Sequence, residues 1–138
     1  ENKRISLKNG ILKIESNFKK NKNKKEIIVD WLKNQAKDYL SKRISFLSKE
    51  VSIPYKKLKV KSFKSRWGSC DRKGEILLNW KLIMLPTKVI DYVIIHELSH
   101  IKVPNHSKDF WDLVYEIYPG YQKRKEWLRK YGEQFIQI

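Results

Sequence analysis

From Val89 to Ile101 the chain is apolar on nearly every side of a helix, through Val89, Ile90, Val93, Ile94, Ile95, Leu98 and Ile101. A helix of that kind belongs at the centre of a core, covered by other elements on all sides. The same stretch carries His96, Glu97 and His100. Burying two imidazoles and a carboxylate without compensation is expensive, so a fold that accepts this helix must give those side chains partners. The remaining histidine is His106, which places all three of the chain's histidines within eleven residues.

Residues four apart on a helix stand one above the other, about 5–6 Å between Cβ atoms. Two imidazoles at that spacing converge on one zinc ion, at the usual Zn–N distance of about 2.0–2.1 Å. Glu97 lies one step round the helix, where its carboxylate reaches a water beside the metal without being a ligand. That is the division of labour in the H-E-x-x-H metallopeptidases. Hydrolytic zinc usually has three protein ligands and an open position. His106 is the expected third ligand, at the offset from His96 that metzincins use. Their turn glycine would fall at Val103, so Pro104-Asn105 must make the turn here. Glu116 and Asp112 on the following helix are the competing ligands. Asp109 is either an acceptor behind a ligand N–H or a solvated carboxylate of the first helical turn. Tyr92, one turn before His96, is expected in the core, with an oxyanion donor as the alternative.

The rest of the chain supplies the cover. Residues 5–15 alternate apolar and polar around Asn9-Gly10, a hairpin signal, and Lys19 to Lys25 reads as a basic connector. Apolar residues at Ile28, Trp31, Leu32, Ala36, Tyr39, Leu40, Ile44, Leu47 and Val51 predict a long helix over 26–51, closed by Pro54. Residues 57–67 read as a strand whose frame shifts at Phe63, Gly68 to Gly74 as a loop, and Glu75 to Trp80 as a second strand. Leu85-Pro86-Thr87 opens the histidine helix, and Pro104-Asn105 stops it. Ser107 caps a helix through Tyr118, and a last helix runs from about Tyr121 to Tyr131. The pattern is α+β, with short antiparallel strands packed on the central helix and helices flanking it. At 138 residues the chain suits one domain spanning 1–138, with 1–25 as its hairpin-like basic start. The lone cysteine, Cys70, excludes a disulfide framework and reads as a small buried or half-buried thiol. No apolar run approaches the ~20 residues of a membrane span and no signal peptide is visible, so a cytoplasmic protein is expected.

Charge is lopsided. Lys plus Arg is 31 and Asp plus Glu 15, a formal balance of +16. Residues 1–66 hold 20 basic and 6 acidic groups, residues 67–138 only 11 and 9. The basic half points to non-specific nucleic acid through phosphate neutralisation. The bland alternative is coding bias, since Lys outnumbers Arg 25 to 6, whereas a dedicated phosphate reader favours the bidentate fork of Arg. A basic nucleic-acid-binding module with a structural or vestigial zinc site is thus the alternative function. Glu97 argues against it, because a structural site has no use for a carboxylate beside an open position.

Ser65-Arg66-Trp67-Gly68-Ser69-Cys70, Ile76-Leu77-Leu78-Asn79-Trp80 and Leu85-Pro86 form an ordered series with Tyr92-Val93, His96-Glu97-Leu98-Ser99-His100, Asn105-His106-Ser107 and Phe110-Trp111. Together they resemble the YgjP-like metal-dependent hydrolase family, related to the SprT and WLM metallopeptidases, over about residues 26–131. The resemblance implies a small zincin-like fold, zinc on His96, His100 and His106, and Glu97 as catalytic base acting on a protein or peptide substrate. It also implies additional N-terminal strands in typical members. With the missing initiator Met, that leads us to expect a truncated or processed chain. Arg66 to Ser69 then read either as a strand edge lining the cleft or as a tight turn with Trp67 in the core.

Overall fold

The computed structural model describes the backbone strands 2–8 and 11–17 and the whole of residues 23–138. Strands β1 (Asn2–Lys8) and β2 (Ile11–Asn17) pair antiparallel, with Lys8 opposite Ile11. The expected Asn9-Gly10 turn and residues 19–22 of the basic connector lie outside the described residues. Lys24 and Lys25, expected in that connector, instead belong to the first turn of α1 (Lys24–Val51).

Helix α1 starts where a capping box allows it. Asn23 Oδ1 accepts from Glu26 N at 2.8 Å, and Glu26 Oε1 accepts from Asn23 N at 3.1 Å. The buried face is Ile27, Ala36, Leu40, Ile44 and Leu47; Ile27, rather than the expected Ile28, leads it. The helix ends as Ser52 turns into the left-handed region at φ 58°, two residues before Pro54.

A three-stranded sheet follows, β3 (Lys57–Lys61), β4 (Gly68–Cys70) and β5 (Glu75–Asn79), in the order β3-β5-β4. Two expectations are corrected here. Strand β3 ends at Lys61, not 67, and the supposed loop from Gly68 contains β4. The sheet is also mixed, because β3 runs parallel to β5 while β4 is antiparallel to it. The physical cause is the bend over residues 62–67, which reverses the chain and carries it past β5 to the far edge. Asn79 holds that bend. Its buried side-chain amide donates to Phe63 O at 3.2 Å and Arg66 O at 3.1 Å, and its backbone N–H donates to Trp67 O at 2.9 Å. Between β4 and β5, Asp71 Oδ1 accepts from Lys73 N and Glu75 N, and Gly74 takes φ 86°, which a side chain would strain.

A 3-10 helix, Trp80–Met84, leads into α2 (Thr87–Lys102), which starts behind Pro86 as expected. Helices α3 (Lys108–Ile117) and α4 (Tyr121–Ile136) complete the chain; α4 runs five residues beyond the expected Tyr131. Ser107 stands at the N-cap of α3, but its hydroxyl makes no capping bond. Helix α2 touches α1, α3, α4, β4 and β5, so the apolar helix occupies the centre. Its far side is tied to α1 by Arg43, which donates two hydrogen bonds to Asp91 at 2.7 and 2.8 Å. Buried Lys81 donates to Ile136 O at 2.6 Å and so fixes the end of α4.

Candidate metal centre

Helix α2 delivers His96 and His100 one turn apart on one face. It ends at Lys102, and Val103 to Ser107 carry the chain over to α3, bringing His106 back above that face. The three Nε2 atoms form a triangle with sides of 3.3 Å (His96–His100), 3.0 Å (His100–His106) and 3.1 Å (His106–His96). Imidazole nitrogens bound about 2.0–2.1 Å from a tetrahedral ion stand about 3.3 Å apart, so the triangle has the size a metal ion requires.

The rings are oriented from behind. His100 Nδ1–H donates to Val103 O at 3.2 Å; a carbonyl only accepts, so Nε2 keeps its lone pair. The same tautomer at His96 directs Nδ1–H to the Tyr92 hydroxyl oxygen, 3.4 Å away. Phe110 stacks on His100 with ring centres 4.3 Å apart, and Trp111 stacks on His106 at 5.8 Å. These aromatic residues of α3 are the wall against which the imidazoles pack.

Exposure rises across the triad, from half-buried His96 and His100 to exposed His106, so the site opens on the α3 side. Burial first, then His100, His106 and Lys125, push His96 down to about 3, which keeps its ring neutral. Burial likewise lowers His100. Glu97 is only 6% exposed, and its carboxylate accepts no hydrogen bond from a described residue. Desolvation pushes it up to about 7, against a smaller downward pull from the Arg66 guanidinium.

Two openings meet at this carboxylate. One, of about 270 Å³, is lined by Arg66, Trp67, Tyr92, Val93 and Leu128; the other, of about 280 Å³, by Ser69, Cys70, His100, Pro104 and His106. Gly68, His96 and Glu97 belong to both. The Arg66–Cys70 segment therefore does line the cleft. Trp67 is also half-buried, packed so closely on Gly132 of α4 that a Cβ there would stand 3.3 Å from its Nε1.

The other candidates fall away from the triad. Asp112 is ion-paired with Lys108 at 2.7 Å, Glu116 is exposed on α3, and neither joins the cluster. Asp109 is exposed and bonds none of the three rings. Tyr92 is buried, as expected of a core residue; its hydroxyl backs His96 Nδ1, and its side chain contributes to the lining of the 270 Å³ opening. Burial pushes the half-buried Cys70 thiol up to about 11, so it is protonated and inert at neutral pH. Sequence reasoning missed Asn79, although a lone amide in the apolar run Ile76–Trp80 is itself a signal that backbone groups need partners there.

Residues 1–131 match the family described as YgjP-like, metallopeptidase domain. The chain belongs to that family. Among solved structures, the YgjP-like chain is similar in fold to the metallopeptidase zymogen of Pyrococcus abyssi abylysin, with a TM-score of 0.55. The two are 22% identical, and the likeness covers 63% of this chain and 90% of that one. No curated protein matches. In this YgjP-like domain His96, His100 and His106 form a cluster that fits a metal ion. Among the described residues no helix is long and apolar enough to cross a membrane.

Proposed function

We propose that the chain is a zinc-dependent peptidase, with His96, His100 and His106 as the metal ligands and Glu97 as the general base. The observation that carries this reading is the convergence of three Nε2 atoms within 3.0–3.3 Å beside a buried carboxylate at the junction of two cavities. Three imidazoles suit zinc, and a bound zinc ion supplies Lewis acidity toward a peptide carbonyl and a water.

The chain's own groups do the rest. The Val103 carbonyl and the Tyr92 oxygen hold the ring N–H groups of His100 and His96, so that both Nε2 lone pairs face inward. Desolvation raises the proton affinity of Glu97 in the metal-free site, and a bound cation beside it would draw it back toward the carboxylate form that a base needs. Its carboxylate takes the proton of the attacking water and hands it to the departing amine. Arg66 and Trp67 on one side and Ser69 on the other flank the path along which an extended peptide lies against β4.

Glu97→Gln preserves shape while removing the base. The variant should retain one zinc per chain, read by elemental analysis, while peptide hydrolysis falls by about 10² or more. Wild-type turnover in Glu97→Gln overturns the base assignment, and loss of zinc makes Glu97 a ligand.

A further inference from the structure

Strand β3 forms the opposite edge of the sheet, with β5 between it and β4. Where β3 ends, a cavity of about 370 Å³ opens toward α1, lined by Lys33, Lys37, Val60, Lys61, Ser62 and Trp80. Its charged side chains are all lysines, and its one hydroxyl has a hydrogen to donate. Trp80 Nε1 donates to Ser62 Oγ at 2.8 Å, and indole never accepts, so the Ser62 hydrogen is left to donate elsewhere. Lys33 Nζ lies over Trp80, 5.8 Å from the ring centre. Among the described residues no carboxylate pairs with Lys33, Lys37 or Lys61, and the nearby Asp38 is paired with Lys42.

The positive surface continues along the strand. Lys57, Lys59 and Lys61 are exposed while Leu58 and Val60 turn inward, which spaces the three lysines about 7 Å apart. From Lys56 to Arg66 the chain has six basic residues and no acid. Across the ladder Lys57 faces Glu75, but Lys61 faces Asn79. The field is therefore least compensated at the end where the cavity opens.

We propose that this edge is a docking groove for the phosphate backbone of duplex nucleic acid. Lys33, Lys37, Lys61 and the Ser62 hydroxyl surround one phosphate, and Lys59 and Lys57 continue along the strand. A small anion would fill the cavity but leave the lysine row unused. A membrane surface would need an apolar side chain to insert, and Trp80 is only 4% exposed. The same burial removes the stacking platform that single strands require. Lysines alone position a backbone without reading bases, so binding is independent of sequence.

The test uses the full chain and a fluorescent 20-base-pair duplex, titrated by anisotropy between about 50 and 200 mM salt. Lys33→Gln/Lys37→Gln/Lys61→Gln should bind at least tenfold more weakly and flatten the salt slope by about 2.7, or about 0.9 per lysine. Lys88→Gln/Lys123→Gln/Lys130→Gln loses the same charge elsewhere and should bind within threefold of wild type. Lys61→Gln alone, the least intrusive change, should give the same shift in smaller measure if the triple variant fails to fold. Absence of duplex binding at 50 mM salt overturns the proposal. So does equal weakening of the two triple variants, which assigns binding to net charge. Tighter binding to phosphatidylserine vesicles, or displacement by millimolar inorganic phosphate, overturns it in favour of a lipid surface or a small anion. Peptide hydrolysis should be unchanged in every variant, so the groove and the peptidase reading fail separately.

Discussion

On one side of the cleft, His96, Glu97, His100 and His106 lie within eleven residues, and the turn of one helix sets most of their spacing. On the other, Arg66 and Trp67 are held by Asn79, whose side-chain amide reaches back 13 and 16 residues to Arg66 and Phe63 and whose N–H reaches Trp67 O, while Gly68 is held by the pairing of β4 with β5. The helical wall draws its precision from local geometry and needs the rest of the fold only as cover. The strand wall draws its precision from partners distant in sequence, the β5 ladder and one buried hydrogen-bonding side chain. Damage to the two should therefore look different: loss of the metal on one side, and a misplaced wall with the metal kept on the other.

The largest effect is expected on the helical wall. His96→Ala or His100→Ala should abolish zinc binding and hydrolysis together, because neither remaining pair closes a three-ligand site. His106→Ala should weaken zinc substantially, while Glu116→Ala, exposed and outside the triangle, should leave it unchanged. Elemental analysis after gel filtration decides this. Stoichiometric zinc in both His96→Ala and His100→Ala would remove the site altogether.

Next comes the strand wall. Asn79→Ala leaves the part-buried Phe63 and Arg66 carbonyls and the buried Lys81 N–H without their side-chain partner; a fully buried orphan costs about 1–3 kcal/mol, and one that water reaches costs less. A loss of about 3 kcal/mol in denaturant unfolding is expected, with hydrolysis impaired beyond the loss of folded protein. Zinc should still bind to the fraction that is folded. If Asn79→Ala loses zinc while it remains folded, the two walls are not independent and the comparison breaks.

The contrast also explains what could be read from the residues alone. The triad was legible because a helix repeats by rule: four residues make one turn, and Pro104-Asn105 marks where it stops. The helices α1 to α4 followed from the same periodicity and from the breaks at Pro54, Pro86 and Pro104. Strand β4 was not legible, because three residues with glycine, serine and cysteine carry no alternation. Nor was the parallel pairing of β3 with β5, which depends on a reversal at 62–67 whose cause, Asn79, lies a dozen or more residues further on. The packing of Phe110 and Trp111 on the imidazoles was hidden for a related reason. An apolar stripe says which face is buried, but not what it is buried against.

A pH series sharpens the electrostatic side of the site in protein stripped of metal by a chelator. Folding raises Glu97 from the ordinary 4.5 to about 7, so between these values the native chain keeps a proton that the unfolded chain has released. Stability from this group is fully present below pH 4.5 and is lost as pH rises through 7. Glu97→Gln does not titrate. Its stability advantage over wild type should therefore grow by about 3 kcal/mol between pH 4 and pH 8. The opposing contribution of His96, depressed to about 3 and destabilising as pH falls below 6.5, is common to both proteins and largely cancels. An advantage that stays flat over this range would mean that the Glu97 carboxyl is not desolvated.

The smallest change tests where the two walls touch. A Cβ at Gly68 would stand 3.1 Å from Glu97 Oε2, from Leu77 O and from the Leu78 Cδ2 methyl, so at least one neighbour must yield by a few tenths of an ångström. Leu77 O belongs to β5, and Gly68 and Ser69 are registered against Leu78 and Leu77, so that carbonyl moves only if the ladder opens. The Leu78 methyl is fully buried and has little room to retreat. The Glu97 carboxylate faces a cavity and accepts no hydrogen bond from a described residue, so it is the group free to move. Gly68→Ala should therefore act on the Glu97 carboxylate, the proposed base, rather than on the fold. We expect a fall in kcat of about tenfold, an unchanged zinc content and a stability loss of about 1 kcal/mol or less, consistent with displacement of the base by a fraction of an ångström. A stability loss of several kcal/mol with kcat intact would mean that the ladder yields first. In that case the strand wall, and not the carboxylate, is the softer side of the cleft.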